Sequence, residues 1–196
     1  MLYNIKENRK GMEMEVHITL PMMQEKREDL NIGDYVYLTG KIYTARDAAH
    51  KRIYESLLKN EDIPIDLENN IIYYMGPSPA REGRTIGAAG PTTASRMDKY
   101  TPKLIDLGLV GMIGKGKRNK NVIEAIKKHK AVYFAAVGGA GALLSKKIIE
   151  SRVIAYDDLG TEAIRELWVE DFPVIVVIDS KGNDLYKEVS EKVSQS

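Results

Sequence analysis

Apolar and polar positions along this chain recur with two periods, and the change from one to the other marks its elements. A strand is predicted over Met14 to Leu20, ended by Pro21. A short helix over Gln24 to Leu30 and a turn at Asn31-Ile32-Gly33-Asp34 follow. Tyr35 to Thr44, rich in β-branched and aromatic residues, reads as a strand with Gly40 as a bulge or bend. It runs into Ala45 to Leu58, where Ala49, Ile53 and Leu57 recur every four positions. That spacing predicts an amphipathic helix whose first turn holds Arg46.

Ile71 to Met75 is a strand that Gly76-Pro77-Ser78-Pro79 breaks. Thr101-Pro102 predicts the cap and first residue of a helix over Pro102 to Leu107. Next come a strand at Val110 to Ile113, a helix at Asn119 to His129 and a strand at Ala131 to Val137. Gly138 to Ala142 opens a predicted helix running to about Glu150. A strand at Val153 to Tyr156, a helix at Glu162 to Trp168 and a strand at Pro173 to Ile178 complete the pattern, before a turn at Ser180 to Asn183 and a polar tail. The alternation in the second half argues for parallel strands with helices packed on them. The irregular first half argues for a mixed sheet, so the predicted class is α/β. In such domains ligand groups gather where strands end and helices begin, and Arg46, Thr92, Thr93, Arg96 and Lys115 all fall at such junctions.

The stretch from Gly87 to Asp98 concentrates the candidate chemistry. Gly87 and Gly90 allow a tight turn or close approach to a ligand, and Pro91 biases Gly90 away from helix. Thr92 and Thr93 suit a helix N-cap, with Ala94 to Lys99 continuing as helix. Unpaired backbone N–H groups, two hydroxyls and the Arg96 guanidinium converging there would suit a carboxylate or phosphate. The same residues also read as an ordinary loop-to-helix junction.

Composition narrows the classes. With 196 residues, 43% apolar and 29% charged, the chain can bury a real core. No apolar run nears the roughly 18–20 residues that span a bilayer, and the start lacks the order of a signal peptide, so a cytoplasmic protein without membrane contact is expected. Lys plus Arg is 29 against 28 for Asp plus Glu, so no global field favours nucleic acid. The cluster Lys115-Gly116-Lys117-Arg118-Asn119-Lys120 reads as a solvated loop. There is no cysteine, which excludes disulfides, a thiol nucleophile and cysteine ligation of a metal by this chain. His17, His50 and His129 have no metal-ligand spacing, so any metal must be held by another chain.

Two glycine motifs fall short of nucleotide sites. Gly139-Ala140-Gly141 follows a strand, but Leu144 stands where the third glycine belongs, and close helix–strand packing accounts for it better. Around Gly114-Lys115, Leu109 replaces the first glycine of a phosphate loop and Gly116 replaces its magnesium-binding hydroxyl. What remains is a lysine between two glycines, either an anion ligand or a surface residue. Arg46 and His50 lie one helical turn apart. Arg46 could grip a carboxylate with His50 as acid or base, or pair with Asp47 while His50 packs.

Tyr43 to Arg52, Gly90-Pro91-Thr92-Thr93, Arg96-Met97-Asp98, Gly114-Lys115-Gly116, Glu170-Asp171-Phe172-Pro173 and Asp179 to Asp184, taken in order, resemble the β-type catalytic domain of iron–sulfur hydro-lyases, the class I fumarases and L-tartrate dehydratases. The resemblance covers roughly residues 20–190. It implies a swivelling β/β/α-type layered domain with a mixed sheet over residues 21–190, an N-terminal extension or edge strand over 1–20, and a tail at 191–196. It also implies a two-subunit enzyme that reversibly hydrates fumarate to L-malate, inactive alone, whose α subunit carries the cysteines and the 4Fe-4S cluster. Such an assembly is a hetero-oligomer with a homodimer contact. Arg46, Arg96 and Lys115 match the positions of a dicarboxylate clamp, Thr93 a hydrogen-bond donor to a substrate carboxylate, and Thr92 the proton-abstracting base, with His50 as the other proton-transfer candidate. L-tartrate dehydratase is the alternative enzyme within the family, and a non-catalytic anion-binding or regulatory module of the same fold is the alternative of a different class.

Overall fold

The structure is a computed structural model that describes residues 15–80, 82–136 and 141–194. β1 (Glu15–Thr19), α1 (Gln24–Asp29) and β2 (Tyr35–Thr44) begin a series of strand–helix–strand steps. It continues through α2 (Asp47–Leu58), β3 (Ile71–Tyr73), α3 (Thr101–Asp106), β4 (Gly111–Gly114), α4 (Lys120–His129) and β5 (Val132–Ala136). Each step returns the chain parallel to the strand before it, as a crossover through a helix permits. The rest of the chain supplies α5 (Gly141–Ser145), β6 (Ile148–Ala155), β7 (Ile164–Ile178) and α6 (Leu185–Ser194).

β7 is antiparallel to all its neighbours: its later half pairs with β5, its earlier half with β6, and its opposite edge with β2. The order β1-β2-β3-β4-β5-β7-β6 with the extra β2–β7 pairing therefore closes β2, β3, β4, β5 and β7 into a barrel, leaving β1 and β6 as flanking strands. The β2–β7 register slips between Leu38 and Gly40, the bulge expected at Gly40.

Strand side chains alternate between two cores. Leu38, Ile42, Ile71, Tyr73, Ile113, Val132, Phe134, Leu167 and Val176 fill the inside of the barrel. Tyr43, Ile72, Met112, Tyr133 and Val177 point outward against Ala49 and Ile53 of α2, Leu104 of α3, and Val122 and Ile126 of α4. β3 and β4 are buried on both faces and so read as short continuous apolar runs, whereas β2 alternates buried with half-buried positions. Asn119 caps α4 by accepting from the Val122 N–H at 3.0 Å, while Lys130 ends it in the left-handed conformation.

Several expectations need correction. The parallel strands begin at residue 15 and end at 136, so the parallel reading of the second half holds for β4, α4 and β5 but fails for β6 and β7, which are antiparallel, while the first half is more regular than predicted. Glu162 to Trp168, predicted as helix, enters β7. Its good helix formers are overridden by partners on both edges, β2 and β6. The helix predicted to reach Glu150 stops at Ser145, and the β-branched pairs of Ile148–Ala155 make β6 instead. The polar tail carries α6, begun where the Asp184 carboxylate accepts the Tyr186 N–H at 2.9 Å. Met14 and the Val137 to Ala140 junction lie outside the described residues.

Candidate active site

The open end of the barrel lies where β2, β3 and β4 finish, and the chain crosses it four times. Arg46 follows β2 as the N-cap of α2, one residue before the first turn predicted for it. Tyr74 to Gly76 follow β3, and Lys115 follows β4. The segment after Pro91 inserts between the last two: the Thr92 N–H donates to the Tyr74 carbonyl at 2.7 Å and the Lys115 N–H to the Thr92 carbonyl at 3.2 Å. Ala94 N–H then donates to the Lys115 carbonyl at 2.8 Å, making a short parallel bridge between Thr93 and Lys115. Ala94–Met97 follows as a single 3₁₀ turn, and the Thr93 side chain makes no cap hydrogen bond to it.

Arg46 and Arg96 meet through one carboxylate. Asp47 Oδ2 lies 4.0 Å from Arg46 Nη2 and 3.9 Å from Arg96 Nη1. Glu162 Oε1 lies 3.7 Å from Arg46 Nε and accepts the Ala48 N–H at 3.3 Å, so it caps α2 from outside the helix. The arginine distances exceed hydrogen-bond range, and Arg46 Nε is buried with no acceptor. Gly76 makes room for this: a Cβ there would fall 2.7 Å from the Thr161 carbonyl oxygen and 3.0 Å from Arg46 Cδ. Arg96, Thr93 and Lys115 are exposed, while Arg46 and Thr92 are half-buried. Three cations and two hydroxyl residues from distant parts of the sequence thus share one end of the barrel.

His50 stands apart from them. It is 0% exposed, its Nδ1 donates to the Arg46 carbonyl oxygen at 2.9 Å, and its ring packs edge-on to Tyr74 with 5.3 Å between centroids. Nε2 is buried without a partner. Burial, with a further push from the Arg118 charge, lowers its pKa to about 4, so the imidazole is neutral at physiological pH. It braces the backbone of Arg46 from below and does not face the open end.

The sequence reading missed a buried pair. Arg118, assigned to a solvated basic loop, has a 0% exposed side chain and bonds Asp98 at 2.7 Å. The carboxylate lies 20 residues away in sequence, with no spacing to signal the pairing. Gly141 is a close-packing residue, but against the Ala89-Gly90 loop and not the strand expected: its carbonyl accepts the Ala89 N–H at 3.1 Å, and a Cβ on it would fall 2.5 Å from Gly90 N. Gly139 and Ala140 of that motif lie outside the described residues.

The donor set does not suit an iron–sulfur cluster. The sequence has no cysteine, and among the described residues no group of three or more His, Asp or Glu side chains is arranged to hold a metal. Among the described residues no helix is long and apolar enough to cross a membrane.

Known proteins resemble this chain over most of its length. A protein of Methanocaldococcus jannaschii provisionally named L(+)-tartrate dehydratase subunit beta is 42% identical over 170 residues, 84% of this chain and 87% of that protein. The aerobic class I fumarate hydratase of Escherichia coli K12 is 40% identical over 154 residues, 78% of this chain but only 28% of its own length. Fumarate hydratase 2 of Leishmania major is also 40% identical, over 80% of this chain and 28% of its own length. The chain thus spans under a third of these two fumarate hydratases. The family profile described as Fumarase C-terminus matches residues 1–189, and the chain belongs to that family.

Proposed function

We propose that this chain is the β subunit of a two-subunit class I fumarate hydratase and supplies the dicarboxylate-binding half of its site. The observation that carries this reading is the set of cations at one end of the barrel, with Arg46 Nε lacking any acceptor. A guanidinium with unspent donors matches a carboxylate in charge and shape. Fumarate and L-malate carry two carboxylates, and Arg46, Arg96 and Lys115 provide three positive charges to receive them.

Hydration adds hydroxide to one alkene carbon and a proton to the other, and the reverse reaction removes both. When the proton leaves the carbon beside a carboxylate, that carboxylate gains a second negative charge. Fixed cations in a water-poor site stabilise that charge more than the substrate's own, and this difference is what accelerates the reaction. Arg96 and Lys115 serve that carboxylate, while Arg46 orients the other. The Thr93 hydroxyl, unspent on helix capping, donates to substrate. Thr92, its backbone pinned on both sides, holds its hydroxyl where a proton is exchanged, beside cations that favour its alkoxide. His50 acts through the Arg46 backbone.

The cluster belongs to the cysteine-bearing α subunit. The barrel with its helices acts as a swivelling domain that closes its open end onto that partner, in a cytoplasmic hetero-oligomer with a contact between two copies of this chain. A second reading, L-tartrate dehydratase, is favoured by the 87% coverage of the M. jannaschii relative. Anaerobic co-expression with the α subunit, followed by assays on fumarate, L-malate and L(+)-tartrate, tests both. Fumarate hydration is expected. Preference for tartrate selects the second reading, and no turnover of any of them rejects both.

A further inference from the structure

Beneath the exposed cations lies a polar layer to which the dicarboxylate reading gives no role. The Arg118 guanidinium donates from Nε to Asp98 Oδ1 at 2.7 Å, and from Nη2 to Thr101 Oγ1 at 2.9 Å and the Tyr74 hydroxyl at 3.4 Å. It sits between the Tyr74 and Tyr133 rings, 5.2 and 4.9 Å from their centroids. The other Asp98 oxygen accepts the Asn119 N–H at 2.7 Å, and the Tyr133 hydroxyl donates to the Gly116 carbonyl at 2.9 Å. Burial works against the charge, yet Tyr74 and Asp98 hold the guanidinium pKa above its ordinary value.

Stability alone is a weak reason for this layer. Desolvating two charges offsets most of their attraction, and apolar side chains of similar volume would pack there as well. Arg118 Nη1 is even buried without a partner, a cost with no return. What the layer does is join segments. Asp98 lies two residues after Arg96, and Arg118 three after Lys115. Tyr74 is the residue whose carbonyl receives the Thr92 N–H. Between Lys115 and Arg118 the chain turns through Gly116 at φ +83°, and the Tyr133 hydroxyl anchors the Gly116 carbonyl. Arg118 is thus the knot between the strand end bearing Lys115 and the turn bearing Arg96.

We propose that Arg118 is a positioning residue for the hydro-lyase site: through Asp98, Thr101 and Tyr74 it sets the spacing of Arg96 and Lys115 that a dicarboxylate requires, an inference that rests on the reading above. Lysine cannot replace it, because an ammonium lacks the planar fork and the fit between two rings.

The test uses the assembled enzyme with its cluster-bearing partner, and compares the parent with Arg118→Lys, with the neutral pair Asp98→Asn/Arg118→Met and with Thr101→Val. The neutral pair leaves no buried unpaired charge, and Thr101→Val removes one arm of the fork, so at least one variant folds. The expected result is a kcat/KM, scaled to the folded fraction of each preparation, lowered about tenfold or more in the first two and less in the third, since small displacements of catalytic groups cost up to about two orders of magnitude. A scaled kcat/KM within about twofold of the parent in the folded variants overturns the proposal. So does a loss that vanishes on scaling, the signature of fewer folded molecules. Arg96→Ala, run beside them, tests the underlying reading: if it alters neither kcat nor KM, that reading fails, whereas an active Arg118→Lys beside a crippled Arg96→Ala sinks only the positioning role.

Discussion

Replacing Arg96 by alanine separates what holds the fold from what holds the substrate. Its side chain is 56% exposed, and its one ion contact among the described residues is the 3.9 Å approach to Asp47. Exposed pairs at that distance contribute little, so the loss is expected to be about 0.5 kcal/mol or less. For a domain of this size that moves the thermal midpoint by about 1–2 °C. Against a substrate carboxylate in a closed, desolvated site the same guanidinium matters far more. Truncating one partner of such a pair costs about 2–5 kcal/mol, which at 1.36 kcal/mol per decade lowers kcat/KM by about 30- to 5,000-fold. The assay is fumarate consumption by the anaerobically assembled enzyme, with the melting midpoint of the same preparation measured in parallel. The reasoning is refuted if kcat/KM stays within about threefold of the parent. It is equally refuted if the midpoint falls by 5 °C or more, by the conversion used above, because Arg96 would then support the fold.

Gly76→Ala is expected to push on Arg46, since the new methyl would sit 3.0 Å from its Cδ and 2.7 Å from the Thr161 carbonyl; a KM rise of about tenfold is expected, and unchanged kinetics would show that the contact relaxes freely. His50 is neutral in the fold, with its pKa lowered from 6.5 to about 4. Below pH 6.5 the unfolded chain takes up the proton first, so stability present above that pH is lost as pH falls toward 4, by roughly 3 kcal/mol. His50→Gln is expected to lose less stability than the parent between pH 7 and pH 4.5, and parallel melting curves would contradict this. The Asp179 carboxylate accepts from the Lys181 N–H at 3.0 Å, the Asn183 N–H at 3.0 Å and Asn183 Nδ2 at 2.8 Å; Asp179→Ala is expected to cost about 2–3 kcal/mol in denaturant unfolding, and a loss under about 0.5 kcal/mol would show the turn holds without it.

Local pattern carried the early elements. β2 over Tyr35–Thr44 with its bulge, α2 with its buried Ala49 and Ile53, and the span of α4 were all legible, because each is decided by residues a few positions apart. In the later chain the strand at Pro173 to Ile178 was legible, but the residues before it were not. Ile164 to Trp168 contains no strong strand former besides Ile164 and Trp168, and only pairing with β2 and β6 makes it a strand. The same division runs through the site. Arg46, Thr92, Thr93, Arg96 and Lys115 stand at element boundaries that sequence can mark, so their gathering at one end was foreseeable. His50 takes the packing alternative already open for it, whereas Arg118 was misjudged because its burial depends on Tyr74 and Tyr133 arriving from other parts of the chain.

The seam between β2 and β7 has a consequence for how the protein is born. Ribosomes deliver β1 to β5 before β7 exists, and until Ile164–Ile178 emerges one whole edge of β2 has no neighbour. That edge belongs to a ten-residue strand whose backbone donors and acceptors are free to recruit a similar segment from another nascent chain. The interval is brief in ordinary translation. Ribosome stalling between codons 136 and 164 would prolong it, leaving a growing polypeptide with its last stave missing.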